Sequence, residues 1–316
     1  MKGLRLLSVI LALTAATCIR AYAANSSVEV KIGGRLWYCW WQPAWSDGVR
    51  YVTPSAALPV SLPYKTKRYD VASAFMYGFT VSVRFLESWI FSSSLMYGNF
   101  FSKSETPGSH VALSLPALNF SKDIKMYDID ADLGYQATRY LRVNLRVKTR
   151  PYNYIEKGEI AHLSPSGRFS IASAKAEFID VGPGLGVELS LPLYRSLSLL
   201  MSVSGFVLAG SGSYVYDYQY DATPSAITLV LDQFNKESFY SYAGNGAVAL
   251  EYYIQPADIA LQIGGKYDLI YYRQHRTMKG FLGYGGKYDR FYGVSFAAVY
   301  SFTLTDIAAT KQNDHI

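Results

Sequence analysis

The feature that most constrains this chain is a strict two-residue alternation near its C-terminal end. Over residues 290–304, Tyr292, Val294, Phe296, Ala298, Tyr300, Phe302 and Leu304 share one parity. Gly293, Ser295, Ala297, Val299, Ser301 and Thr303 share the other. Successive side chains of a strand point to opposite faces, so this segment reads as a strand with one broad apolar face and one mostly small or polar face. A helix would scatter both sets around its circumference.

The pattern recurs in ten segments, about 28–42, 71–85, 88–100, 124–137, 141–154, 174–192, 196–213, 238–254, 258–273 and 290–304. At ~13–18 residues these exceed the usual ~5–6 residues of strands in soluble proteins. Links between them alternate in length. Short ones fall around Leu86-Glu87, Thr138-Tyr140, Leu193-Ser196 and Gln255-Asp258; long ones at about 43–70, 101–123, 155–173, 214–237 and 274–289. Short turns on one side and long loops on the other are the asymmetry of a transmembrane barrel with an even strand count. The expectation is therefore an all-β fold: a single antiparallel transmembrane β-barrel of about ten strands, both termini periplasmic. Twelve strands is the alternative, because Ser225 to Phe234 (SAITLVLDQF) could supply part of another hairpin.

The chain has 28 Tyr and 16 Phe but only 17% charged residues, which suits a lipid-facing band flanked by aromatic girdles. No stretch after residue 23 has the ~18 uncharged apolar residues of a membrane helix, and an open sheet cannot satisfy its edges in lipid. A soluble sandwich also gives alternating strands. It would need an apolar core face, whereas here the second face is rich in Gly and Ser.

The N-terminus reads as a secretory signal over residues 1–23. Lys2 and Arg5 precede the apolar run Leu6 to Ala16, and Ala21-Tyr22-Ala23 fits a small-x-small cleavage site, so the mature chain is expected to start near Ala24. Residues 24–304 would form the barrel and 305–316 a polar C-terminal tail. Removing the signal, with Lys2, Arg5, Arg20 and no acid, takes the formal charge from +6 to +3. No clustered basic face points to nucleic acid. Cys39 is the single Cys after the signal, so neither an intramolecular disulfide nor a Cys metal motif is available.

The charges carry the most information. Around 124–137, Tyr127, Ile129, Ala131, Leu133 and Tyr135 share one face, and Asp128, Asp130, Asp132, Gly134 and Gln136 the other. Around 141–154, Leu141, Val143, Leu145 and Val147 point outward, and Arg142, Asn144, Arg146, Lys148 and Arg150 inward. A tight turn at Ala137 to Tyr140 fixes the register, since a one-residue slip would exchange the faces. It sets Asp132 near Arg146, Asp130 near Lys148 and Asp128 near Arg150, an acid–base ladder inside the barrel. The same parity turns Glu29, Lys31, Arg35, Arg84, Asp180, Glu188, Glu251, Lys266 and Asp268 inward. Facing lipid, the bases would each cost ~2–4 kcal/mol at the midplane; facing the lumen they can pair. Two readings stay open: the pairs plug a narrow interior, or they line a selective pore. Side chains about fill a barrel at eight strands and wide channels need about sixteen, which disfavours a general porin.

No constellation for catalysis emerges. His110, His162 and His275 fall in expected loops and His315 in the tail, with no HExxH or His-x-His spacing. Gly182-Pro183-Gly184-Leu185-Gly186 alternates along a strand and reads as room for inward neighbours, not as a phosphate loop. The expectation is a non-enzyme without cofactor or metal.

With the signal peptide, the alternation and an aromatic last strand, nearly all of the mature chain resembles Gram-negative outer-membrane β-barrels. Phe302 would be the terminal assembly aromatic that such barrels carry, here followed by a tail. In length, strand number and loop asymmetry it is similar to the omptins, ten-stranded outer-membrane proteases. Their rim catalysis uses an Asp pair opposite an Asp–His pair. The second long loop here, 101–123, has only Glu105 and Asp123, and the fourth, 214–237, has Asp217, Asp221 and Asp232 without His, so no catalytic residue carries over. The resemblance implies outer-membrane lipid and the barrel-assembly machinery as partners. A small solute would be added for a narrow channel, or a surface ligand for a barrel working through its long outer loops. A run such as Tyr214 to Asp221 (YVYDYQYD) is either a sticky patch or a strand rising above the membrane.

Overall fold

The computed structural model describes residues 28–42, 72–85, 87–106, 118–161, 169–222, 225–273 and 288–304. The signal region with Ala21 and Ala23, the four His and the tail lie outside them. Eleven strand segments follow one another: β1 (Val28–Gln42), β2 (Ala72–Phe85), β3 (Trp89–Thr106), β4 (Leu118–Gln136), β5 (Leu141–Thr149), β6 (Tyr152–Ala161), β7 (Phe169–Tyr194), β8 (Leu197–Ala222), β9 (Ser225–Ile254), β10 (Ile259–Arg273) and β11 (Tyr288–Leu304). All pairings are antiparallel. β5 and β6 are two halves of one strand, interrupted at Arg150-Pro151, where proline offers no N–H. Both halves keep one register: Asp130 faces Lys148 across β4–β5, and Met126 faces Tyr152 across β4–β6. Ten strands therefore close on themselves, β1 pairing with β11 and β3 with β4.

The cross-strand row that begins at Glu29 passes Arg84, Ile90, Gly134, Asn144, Gly186, Ser204, Asn245, Asp268 and Phe291, and returns to β1 at Trp41. A stagger of that size around ten strands tilts them by roughly 40° from the barrel axis.

The tight turns gather at one end of the barrel, the turn end, where Val28 and Leu304 pair. Their backbone is specialised: Glu87, Arg195 and Asp258 have φ of 53°, 45° and 52°. The Thr138 hydroxyl accepts the N–H groups of Tyr140 and Leu141 at 3.2 and 3.1 Å. At the opposite, loop end the strands run further than the alternation suggests. β3 and β4 reach Thr106 and Leu118, and β6 and β7 extend over much of 155–173. The expected fourth loop, 214–237, is a hairpin in which β8 and β9 continue until two residues separate them. Ser225 to Phe234 is thus the start of β9, not a further hairpin, and the twelve-strand alternative is excluded.

The outer face carries the apolar parity. Phe79, Leu185, Val203, Ile263 and Phe296 stand exposed around the barrel. Aromatic residues bracket this band: Trp89 and Tyr97 on β3, Tyr135 and Tyr127 on β4, Tyr292 and Tyr300 on β11, Tyr242 and Tyr252 on β9. Each pair encloses nine to eleven residues, the length of a tilted transmembrane strand. Trp89 packs against Tyr135 at the turn end, and Tyr97 packs on Tyr77 and Tyr127 towards the loop end. A closed barrel with a continuous apolar exterior would waste that surface in water and match it in lipid, so the fold is that of a transmembrane β-barrel.

Candidate functional site: the barrel interior

The interior has three zones. Behind the loop-end aromatic girdle lies a charged cluster. Asp128 follows the girdle residue Tyr127, and Lys266 and Asp268 flank Tyr267. Lys148 Nζ sits 2.8 Å from Asp128 Oδ1 and 3.2 Å from Asp130 Oδ2. Arg150 donates through Nε and Nη2 to Asp128 Oδ1, both at 3.1 Å, and through Nη2 to Asp268 Oδ2 at 2.5 Å. Lys266 completes the set at 3.3 Å from Asp128 and 3.5 Å from Asp268. The cluster joins β4 and β5 to β10 across the lumen. Asp180, from β7, accepts the Arg150 backbone N–H on Oδ1 at 3.1 Å. The side chains of Asp128, Lys148, Arg150 and Asp268 are all 1–2% exposed.

Burying charges this deeply is unfavourable unless each has several partners. Here three cations face Asp128, Asp130 and Asp268, and aromatic faces take the remaining positive sides. Arg150 lies 4.4 Å over the Phe291 ring and Lys266 4.3 Å over Trp37.

Those two rings belong to the second zone, an apolar plug on the loop-end side. Trp37, Trp41, Met76, Met96, Phe100, Ile124, Met126, Tyr152, Tyr154, Phe178, Phe239 and Phe291 form its core, with Cys39 buried among them. Trp41 stacks on Phe291 at 5.1 Å and meets Phe100 and Tyr152 edge-on. Tyr272 donates to Asp289 at 2.6 Å on the far wall. The expectation of a small and polar inner face fails here. The signal for the plug is present in the sequence as inward parity: Trp37 and Trp41 share it with Lys31 and Arg35, Met126 with Asp128, and Tyr152 with Arg150. Assigning aromatics to lipid by type leaves that signal unused.

The third zone, towards the turn end, is a polar cavity of about 410 Å³. Arg84 pairs with Glu29 at 3.3 Å, Arg142 with Glu188, and Gln262 donates to Glu251 at 2.7 Å. Lys31 reaches Glu29 at 3.2 Å. Glu251, expected in the charge ladder, thus meets an amide and not a base.

One rung of the ladder differs from expectation. Asp132 and Arg146 are cross-strand partners, yet they form no ion pair. Arg146 Nη1 donates instead to Ser204 Oγ at 2.6 Å. Asp132 Oδ1 and Arg146 Nε have no hydrogen-bond partner among the described residues. The glycine face of β7 explains the turn of Arg146. A Cβ on Gly186 would lie 2.5 Å from Ser204 Oγ and 3.1 Å from Arg146 Cδ, and one on Gly184 would strike Phe206 at 2.4 Å. Glycine there lets Arg146 lie flat along the wall.

No protein family model matches this chain, and no curated relative does. Solved structures with a similar outline include the outer membrane protease OmpT from Escherichia coli, 12% identical over 89% of this chain and 98% of that one, TM-score 0.40. The translocator domain of the autotransporter NalP from Neisseria meningitidis is 10% identical over 93% and 97%, TM-score 0.37. A major outer membrane protein from Thermus thermophilus is 10% identical over 88% and 100%, TM-score 0.33. The placement in a membrane rests on the barrel's own closure and exterior, not on these likenesses.

Proposed function

We propose that this chain is an outer-membrane β-barrel that is closed at rest and serves as a structural, surface-presenting barrel, not as an open channel or an enzyme. The observation that carries the reading is the filled lumen. Asp128, Lys148, Arg150 and Asp268 bridge it, and Trp41, Phe100 and Phe291 lie fully buried directly beyond them. A route for solute would have to pass both a paired charge layer and an aromatic core. A signal peptide cleaved near Ala23, periplasmic tight turns and insertion by the barrel-assembly machinery complete this reading.

The β8–β9 hairpin supports a role at the surface. Its strands, of 26 and 30 residues, outrun the transmembrane requirement of about ten and rise beyond the loop-end girdle.

The test is planar-bilayer recording on refolded protein whose folding is verified by its altered gel mobility before boiling. The expected result is no steady conductance. Regular, reproducible conductance steps from the wild-type chain would overturn the closed reading.

A further inference from the structure

The turn-end cavity contains charged groups that a closed structural barrel does not need. Asp132 lines it, is more than nine-tenths buried, and keeps Oδ1 without a hydrogen-bond partner among the described residues. Arg146 lines the same wall, bound through Nη1 to a neutral hydroxyl and unpartnered at Nε. Arg35, on β1, also lines the cavity; it is exposed and makes no ion pair among the described residues. The neighbouring pairs Arg84–Glu29 and Arg142–Glu188 are satisfied within the protein. Glu251, which also lines the cavity, is held by the Gln262 amide at 2.7 Å. Asp132, with an oxygen that no described group meets, and two guanidinium groups without an acid are left over.

A buried carboxylate with an unmet acceptor is unfavourable by more than an ordinary hydrogen bond is favourable. Arg146 stands opposite Asp132 and could have met it; the sequence places Ser204 and two glycines so that it does not. The leftover set is complementary to a molecule that brings its own cation and its own anion. A volume of about 410 Å³ is at the small end of ligand pockets and excludes large solutes. We propose that this cavity binds a small zwitterion of the amino-acid or dipeptide class, its ammonium on Asp132 and its carboxylate on Arg35 and Arg146. The site is entered from the turn end and stops at the Lys148–Asp130 layer, so binding does not require an open lumen and does not depend on the closed reading.

Calorimetric titration of the full chain, folded in detergent, tests this with alanyl-alanine and its two blocked forms. N-acetylation removes the ammonium, and C-terminal amidation removes the carboxylate. The free dipeptide is expected to bind saturably. Each blocked form should bind at least about tenfold more weakly, as loss of a charge-assisted contact implies. Asp132→Asn should weaken the free dipeptide but leave the N-acetyl form unchanged. Arg35→Gln removes an exposed, unpaired side chain, so folding is not at stake, and it should weaken the free dipeptide but leave the amide unchanged. Absence of saturable binding, equal binding of the blocked forms, or wild-type affinity in Arg35→Gln would each overturn the proposal.

Discussion

The two ends of the barrel interior are built from the same strands yet have opposite chemistry. At the turn end, inward positions of β1, β8 and β9 hold Glu29, Ser202 and Glu251 around a cavity. Along the same strands at the loop end they hold Trp41, Leu208 and Phe239 in a packed core. The exterior shows no such division. Lipid dictates the outward parity along the whole transmembrane height, whereas nothing outside the chain dictates the inward parity. The interior is therefore where this barrel departs from a generic one. The paired charges mark the boundary: cations reach down to acids on one side and lie over aromatic rings on the other.

Substitutions on the two sides should respond differently. Arg150→Ala is expected to have the largest effect, towards about 5 kcal/mol, because it leaves Asp128 and Asp268 buried with less compensation. Reversible urea unfolding in lipid vesicles measures it. A loss below about 1 kcal/mol, typical of an exposed pair, would mean that water reaches the cluster. Phe100→Ala, in the fully buried plug, should cost about 3 kcal/mol in the same assay. A negligible loss would show that the loop-end interior is not packed. Arg142→Gln, at the partly exposed Arg142–Glu188 pair, should cost no more than about 1 kcal/mol. A loss as large as that of Arg150→Ala would erase the distinction between the two ends.

The exterior is legible in the sequence because one rule, apolar towards lipid at every second residue, governs it. The turn Ala137 to Tyr140 fixes the register that sets Asp130 against Lys148. Side-chain detail on that register is not legible. Whether Arg146 meets Asp132 or Ser204 depends on the glycines of β7, a strand distant in sequence from Asp132. The plug escapes the sequence for a different reason. An aromatic on an inward parity reads as girdle unless neighbouring charges are used to set the parity, as Lys31 and Arg35 do for Trp37 and Trp41. The β8–β9 hairpin illustrates a third limit. Clean alternation ends the seventh segment at Ser213, whereas β8 continues from Tyr214 to Ala222, because a strand that has left the membrane no longer needs an apolar face at every second residue.

One end of the lumen is wet and the other dry along the same strand. Ser202 and Leu208 both point inward from β8, six residues apart, the first lining the cavity and the second fully buried. Each is replaced singly by Cys in a Cys39→Ser background, and the rate of modification by a small charged thiol reagent is measured on the folded barrel. Ser202→Cys is predicted to react at least about a hundredfold faster than Leu208→Cys, which must await local opening. Equal rates at the two positions would contradict the division of the lumen into a wet and a dry end.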